Sequence, residues 1–251
     1  MPNHIQFSQE GFQQLKKLLL QLKSRNSQPC FAAFDADGTL WDSDIGENFF
    51  QYQIDHCNLK DLEGLDPWAH YAHLKSNDPR LAYLWLAQIN RNVHIDQVRK
   101  WSQQACEKNP PNIFESQKQL IHWLSENDII PIVVTASIRW AVEPAAQLLG
   151  IPKERVIGVQ TKIDSEGLVT NTQEGPITWR QGKVEGAKLL SGGKNPILCA
   201  GNTSGDKDLL AFSSGVSLAI QTQKKINPLF KDEQTLLDIA IDQKWLTHSF
   251  C

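Results

Sequence analysis

Short apolar runs alternate with stretches of helical periodicity over most of the chain. The runs at 30–35, 129–135, 156–160, 197–200 and 216–220 have the length and apolar content of buried strands. Between them, 116–127 and 140–149 place apolar residues at helical spacing, and the second pattern stops at Gly150, a residue suited to ending a helix. Leu15, Leu18, Leu19 and Leu22 recur with the same period, so residues 1–28 predict an amphipathic helix packed on the main body. The alternation predicts an α/β fold, a Rossmann-like parallel sheet with helices on both faces. Ligands of such sheets bind beyond the carboxyl ends of the strands.

Two segments break the rhythm. Residues 45–114 contain no convincing strand and are rich in aromatics, among them Phe49, Phe50, Trp68, Tyr71, Tyr83 and Trp85. They predict a helical cap inserted after the first strand, most of its aromatics forming its own core. Residues 156–172 read Val-Ile-Gly-Val-Gln-Thr-Lys, then Asp164-Ser165-Glu166-Gly167, then Leu168-Val169-Thr170, the pattern of a β-hairpin. The α/β core is therefore expected at 29–44 and 115–251, with the cap at 45–114.

Composition narrows the function classes. The 251 residues suffice for one large domain or a core with an insert. A net charge of -3 gives no basis for a nucleic-acid partner, and no apolar stretch approaches the length of a membrane span. The start of the chain has neither the basic residues nor the apolar core of a secretory signal. The five cysteines are odd in number and none forms a CxxC pair. Cys30 and Cys199 fall in strand-like runs, as buried free thiols do, so a reducing, cytoplasmic compartment is expected and a zinc site is not.

Chemistry-bearing residues collect at the strand ends. The run Cys30-Phe31-Ala32-Ala33-Phe34 stops at Asp35 and Asp37, followed by Gly38 and Thr39. Alternate side chains point the same way, so the two carboxylates are expected to face one site, where a cation neutralises them or one acts as a nucleophile. The second strand ends at Thr135-Ala136-Ser137, hydroxyls placed either to bind an anionic oxygen or, for Ser137, to cap the next helix. Lys183 stands at a helix start, where the dipole disfavours a cation, which points to another task such as neutralising a phosphate or carboxylate. The fourth strand opens into Gly201-Asn202-Thr203-Ser204-Gly205-Asp206, an oxygen-rich loop suited to Mg²⁺. Together these residues form the set needed to transfer a phosphoryl group to a carboxylate under Mg²⁺.

In these motifs the chain resembles the haloacid dehalogenase superfamily phosphatases. FDADGTLW matches the first motif, IVVTAS the second, Lys183 the third and GNTSGDKDLL the fourth. The resemblance implies that Asp35 is the nucleophile and that Asp37 is the general acid, then the base for water. It implies that Thr135 binds the phosphoryl oxygens, with Gly38 and Ser137 beside it, and that Lys183 steadies nucleophile and phosphate. Asp35, the Asp37 main-chain carbonyl, Asn202 and Asp206 are the implied Mg²⁺ ligands. Asn202 departs from the family pattern, which usually has an aspartate there, and this makes Asp206 the expected main ligand of the fourth motif.

The insert and hairpin resemble the branch that includes phosphoserine and phosphorylcholine phosphatases. By that likeness Asp44 or Glu47 is expected to face a positively charged substrate end, with Trp41 and Phe50 offering ring faces to a quaternary ammonium. Packing against the cap is the alternative for Trp41. The expected function is hydrolysis of a small phosphomonoester, an amine-bearing one being the favoured class. Phosphotransfer to another acceptor, and phospho-ligand binding without turnover, remain alternatives. The expected partner is a small-molecule phosphomonoester, with neither nucleic acid nor membrane.

Overall fold

The structure is a computed structural model that describes residues 9–26, 28–222 and 229–250. It opens with helix α1 (Gln9–Arg25) and strand β1 (Cys30–Phe34). Helices α2 (Ile45–His56), α3 (Pro67–Asn77), α4 (Pro79–Gln88) and α5 (Ile95–Lys108) follow, then α6 (Glu115–Glu126), β2 (Ile129–Ile138), α7 (Arg139–Leu148) and β3 (Val156–Val159). The chain continues through β4 (Thr161–Ile163), β5 (Val169–Gln173), α8 (Gln181–Ser191), β6 (Leu198–Gly201), α9 (Lys207–Ala211), β7 (Val216–Gln221), α10 (Phe230–Asp242) and β8 (Leu246–Ser249).

Among the described residues, six strands form one parallel sheet in the order β3-β2-β1-β6-β7-β8. Alternation along β1 assigns the two faces. Phe31 and Ala33 pack with Ile132, Val134, Ala187 of α8 and Leu209 of α9. Ala32 and Phe34 belong to the larger core, which also takes Leu15 and Leu19 of α1 and Leu120, Ile121 and Leu124 of α6. Both faces are covered, which is why the strands read as nearly continuous apolar runs. The chain runs outward from β1 through β2 to β3, then returns to the other side of β1 as β6. The switch in direction falls between β1 and β6, the position where open α/β sheets form their binding crevice.

The predicted strands and the helices predicted at 116–127 and 140–149 are present, with ends shifted by up to three residues; of the helix predicted over 1–28, α1 is seen at Gln9–Arg25, and residues 1–8 and 27 lie outside the described residues. β2 runs on to Ile138 because, after a break in register, Ile138 pairs with Val159. The hairpin is shorter than the sequence suggests. Val156–Val159 pairs with β2 in the main sheet, and only β4 and β5 make the antiparallel pair. β8, with the sequence Leu-Thr-His-Ser, carries no apolar run and was not predicted. Cys30 and Cys199 are buried free thiols, while Cys251 lies outside the described residues. Among the described residues, no helix is long and apolar enough to cross a membrane.

Between β1 and α6 the regular elements among the described residues are helices, as expected. Asp44, Asp66 and Asp78 accept main-chain N–H bonds at the starts of α2, α3 and α4, and Pro67 and Pro79 open the last two. The aromatics do form a core: Phe50 meets Trp68 at 4.9 Å, Trp85 at 5.5 Å and Tyr71 at 5.8 Å between ring centroids. This removes Phe50 from any ligand-facing role. Beyond the start of α2, the segment is tied to the rest at the hairpin and at α7. Asn92 N–H donates to the Val169 carbonyl at 2.8 Å, and Val169 N–H to the Val93 carbonyl at 2.9 Å, joining it to the hairpin. Arg99 pairs with the buried Glu143 of α7 at 3.0 Å.

Helix α1 seals one edge of the larger core, and Lys23 adds a 2.6 Å bond to the Asn127 carbonyl. Leu19 is fully buried. Leu19→Ala is expected to cost about 2–5 kcal/mol in urea unfolding, for lost transfer energy plus the cavity left behind. A change below about 0.5 kcal/mol would contradict the packing of α1 on the sheet.

Candidate active site

A cavity of about 650 Å³ lies at the carboxyl end of the sheet. Asp35, Asp37 and Gly38 enter it from the end of β1, Thr135 and Ser137 from β2, and Asn202 and Asp206 from the loop after β6. Lys183 reaches it from the first turn of α8, and Asp44 and Glu47 from the start of α2. A second cavity, of about 580 Å³, lies by α5 and α7 and contains none of these residues. Its buried Glu143 is held by Arg99 and Arg139.

At the floor, the buried Lys183 Nζ donates to Asp35 Oδ1 and to Asp206 Oδ1. The local chain is folded tightly to put it there. A Cβ on Gly182 would overlap the Ile177 carbonyl, so only glycine fits. Arg180 holds φ 51°, ψ −123°, while its N–H donates to the Gly205 carbonyl at 3.1 Å. Asp35 N–H donates to the Ala200 carbonyl at 2.9 Å, continuing the β1–β6 ladder into the site.

Asp206 is not placed as the main cation ligand. Its Oδ2 accepts from Asn202 N at 3.1 Å, Thr203 N at 3.0 Å and Thr203 Oγ1 at 3.2 Å, and its Oδ1 holds Lys183. It shapes the loop and anchors the lysine. Asn202 faces Asp35 instead: the Thr39 hydroxyl lies 3.0 Å from Asp35 Oδ2 and 3.4 Å from Asn202 Oδ1. Gly38, at φ +73°, makes that approach possible, because a Cβ there would overlap Asn202 Nδ2.

Asp37 is held from three directions. Its Oδ1 accepts from Trp41 Nε1 at 2.8 Å and Ile45 N at 2.9 Å, and its Oδ2 accepts from Ser137 Oγ at 2.6 Å. Trp41 is fully buried and does not line the cavity, so its ring face is closed to any ligand. Its work is to orient Asp37. Ser137 is likewise not a helix cap; α7 starts from Ile138 without a side-chain cap. The buried Thr135 accepts from Ser137 N at 3.1 Å, and its carbonyl accepts from the Thr178 hydroxyl.

The electrostatics follow from burial. Burial pushes the Asp35 carboxyl up to about 7, the Asp206 charge adds to this, and Lys183 opposes it. Burial also raises Asp37, against the bonds from Ile45, Ser137 and Trp41. For Lys183 burial acts downward, but the charges of Asp206 and Asp35 outweigh it and hold the ammonium above its ordinary value. Two buried carboxylates, with the half-buried Asp37 beside them, thus crowd around one ammonium, an excess of negative charge that a cation relieves. No group of three or more His, Cys, Asp or Glu with metal-holding geometry occurs among the described residues. A fit to a hard cation therefore rests on a mixed oxygen set, Asp35 Oδ2 with the amide oxygen of Asn202, both beside the Thr39 hydroxyl.

Nearer the insert, Asp44 accepts from Glu47 N at 2.8 Å, and Glu47 pairs with Lys75 at 3.2 Å. Asp44 is open to solvent yet closely surrounded; that crowding, then the charges of Asp37 and Glu47, raises its carboxyl above the usual range. Lys75, Tyr71, Tyr83, Trp179 and Arg180 also line the cavity and were not predicted. Lys75 sits 5.1 Å from the Tyr71 ring centroid, and the Arg180 guanidinium 4.2 Å from that of Trp179. Thr39 was legible as part of the Asp-Gly-Thr run; the helix residues carry no motif.

A family model described as haloacid dehalogenase-like hydrolase matches residues 32–211. A phosphorylcholine phosphatase of Pseudomonas aeruginosa is 22% identical over 309 aligned positions, covering 92% of this chain and 88% of that protein. A Bordetella pertussis Tohama I protein of unknown function has a similar fold, with a TM-score of 0.67 at 16% identity over 87% of this chain and 97% of its own. A phosphoserine phosphatase, solved as a phospho-aspartyl intermediate analogue, has a TM-score of 0.52 at 15% identity, covering 89% of this chain and 94% of its own.

The raised Asp35 carboxyl has a measurable consequence. With a folded value near 7 against 3.8 unfolded, its contribution to stability is full below about pH 4 and is lost as pH rises through about 7. In chelator, thermal unfolding of wild type is expected to lose ground to Asp35→Asn across that window. Parallel melting curves for the two proteins would contradict the assignment.

Proposed function

The chain belongs to the haloacid dehalogenase-like hydrolase family, and from that premise we propose that it is a Mg²⁺-dependent phosphomonoester hydrolase working through Asp35. The observation that carries the reading is the buried Lys183 bridging Asp35 and Asp206 where the sheet order reverses. Lys183 holds one Asp35 oxygen and keeps the carboxylate oriented. Asp35 attacks phosphorus, the bond to the leaving oxygen breaks, and Asp37 protonates that oxygen. Asp37 then takes a proton from the water that opens the aspartyl-phosphate, releasing phosphate and restoring both carboxyl groups. Trp41, Ile45 and Ser137 fix where that proton is held. Thr135 lines the cavity beside it as a donor for phosphoryl oxygens, the single Ser137 hydroxyl proton being committed to Asp37.

Asp35, the Asp37 main-chain carbonyl and Asn202 would hold Mg²⁺. The ion, when bound, neutralises charge on the transferring phosphoryl group. Asp206 serves from behind, through Lys183 and the loop amides.

The helices of 45–114 act as a cap, excluding water around the reacting groups. Tyr71, Lys75 and Tyr83 of that segment line the cavity and bound the leaving group. Glu47 is already paired with Lys75, so of these two carboxylates Asp44 is the one offered to a cationic substrate end. An amine-bearing phosphomonoester fits this arrangement. The reading is supported by the phosphatase name of the Pseudomonas aeruginosa relative.

A panel of small phosphomonoesters assayed with Mg²⁺ tests the proposal. Asp35→Asn is expected to lower kcat by about a thousandfold or more. Asp44→Ala is expected to reduce kcat/KM for serine, ethanolamine or choline phosphates by about tenfold more than for sugar phosphates. Full turnover by Asp35→Asn would overturn the mechanism, and equal losses across the panel would overturn the substrate class.

A further inference from the structure

Asn202 contacts a second buried carboxylate, away from the cavity. Its Nδ2 donates to Glu233 Oε1 at 3.1 Å. Glu233 is fully buried in the first turn of α10, and it also accepts from the Thr222 hydroxyl at 2.8 Å and the Thr222 amide at 3.0 Å. Neither residue is near the other in sequence, so α10 is brought onto this loop by the fold.

A carboxamide has two chemically different ends, and a carboxylate accepts only from the NH₂. Glu233 therefore selects one orientation of Asn202, the one that turns Oδ1 toward Thr39 and Asp35. The reverse flip would set the amide oxygen against the Glu233 carboxylate and Nδ2 toward the Thr39 side. Donation from the amide N–H to a carboxylate also polarises the group, adding negative charge to its oxygen. A neutral residue thus presents an oriented, enriched oxygen to the cavity, with the formal charge placed one hydrogen bond behind it.

We propose that Glu233 is a positioning residue for the cation site, aiming the Asn202 carbonyl and supplying from behind the charge that Asn202 lacks. The proposal rests on the reading of Asn202 as a cation ligand. It carries a specific corollary. Asn202→Asp would place two carboxylates 3.1 Å apart where a donor and an acceptor now meet, so adding charge at position 202 alone does not improve the site. Reversing the polarity of both residues, with Asp at 202 and Gln at 233, restores a donor–acceptor pair.

Mn²⁺ binding measured by electron paramagnetic resonance, with thermal unfolding of the metal-free proteins alongside, tests this without any turnover. Glu233→Gln is expected to weaken Mn²⁺ binding about tenfold or more, in the range that lost outer ligands cost metal sites. Asn202→Asp is expected to bind no tighter than wild type, and the double variant about tenfold tighter than Asn202→Asp alone. Unchanged Mn²⁺ affinity in a folded Glu233→Gln would overturn the proposal. So would tighter binding by Asn202→Asp alone, an arm that decides the matter even where Glu233→Gln fails to fold. Mn²⁺ binding that survives Asp35→Asn unchanged would overturn the cation site itself rather than the role of Glu233.

Discussion

Lys183 is a buried ammonium shared between two buried carboxylates, and the other contacts of the site are built around that sharing. Taking these charges out of water is costly, and removing one partner of such a cluster typically costs about 3–5 kcal/mol. The arrangement persists because the fold over-determines it. Gly182 lets the chain pass the Ile177 carbonyl, Arg180 adopts a backbone conformation that costs about 1–3 kcal/mol, and Asp206 is itself held by two main-chain amides. One ammonium cannot neutralise both partners together with Asp37. Burial first, and then that shortfall, raise the Asp35 carboxyl.

The same logic links the insert to the site. Asp37 accepts from the first amide of α2 and from Trp41, so the acid and the start of the helical segment are a single hydrogen-bonded unit. Gly46 continues the contact, since a Cβ there would press on Ser137, the third donor to Asp37. The hairpin holds the other end of the segment through the Val93–Val169 bonds. The proposed general acid is therefore placed by the insert and β2 as much as by its own strand.

What was legible in the sequence, and what was not, divides along physical lines. Strands buried on both faces must be apolar throughout, so β1, β2, β3, β6 and β7 declared themselves. β8, at the sheet edge, has a single apolar residue ahead of three polar ones and did not. Asp35, Asp37, Lys183 and the loop after β6 were readable because strand-end chemistry has a fixed order along the chain. The role of Asp206 was not, because a carboxylate at that spacing looks the same whether it faces a cation or a lysine; only its four donors distinguish the two. Trp41 lies beside the motif but is turned into the core, and side-chain direction in a turn is not periodic. Glu233 and Lys75 act through tertiary contacts from helices whose local sequence serves packing and solvation.

The claim at the centre of this account is that Asp35 becomes covalently phosphorylated. Rapid acid quench during turnover of a ³²P-labelled phosphomonoester, with peptide mapping of a parallel unlabelled sample whose acyl phosphate is reduced by tritiated borohydride, tests it most directly. The label is predicted on Asp35, absent in Asp35→Asn and sensitive to hydroxylamine. Turnover with no label on the protein, or label on a residue other than Asp35, would contradict it.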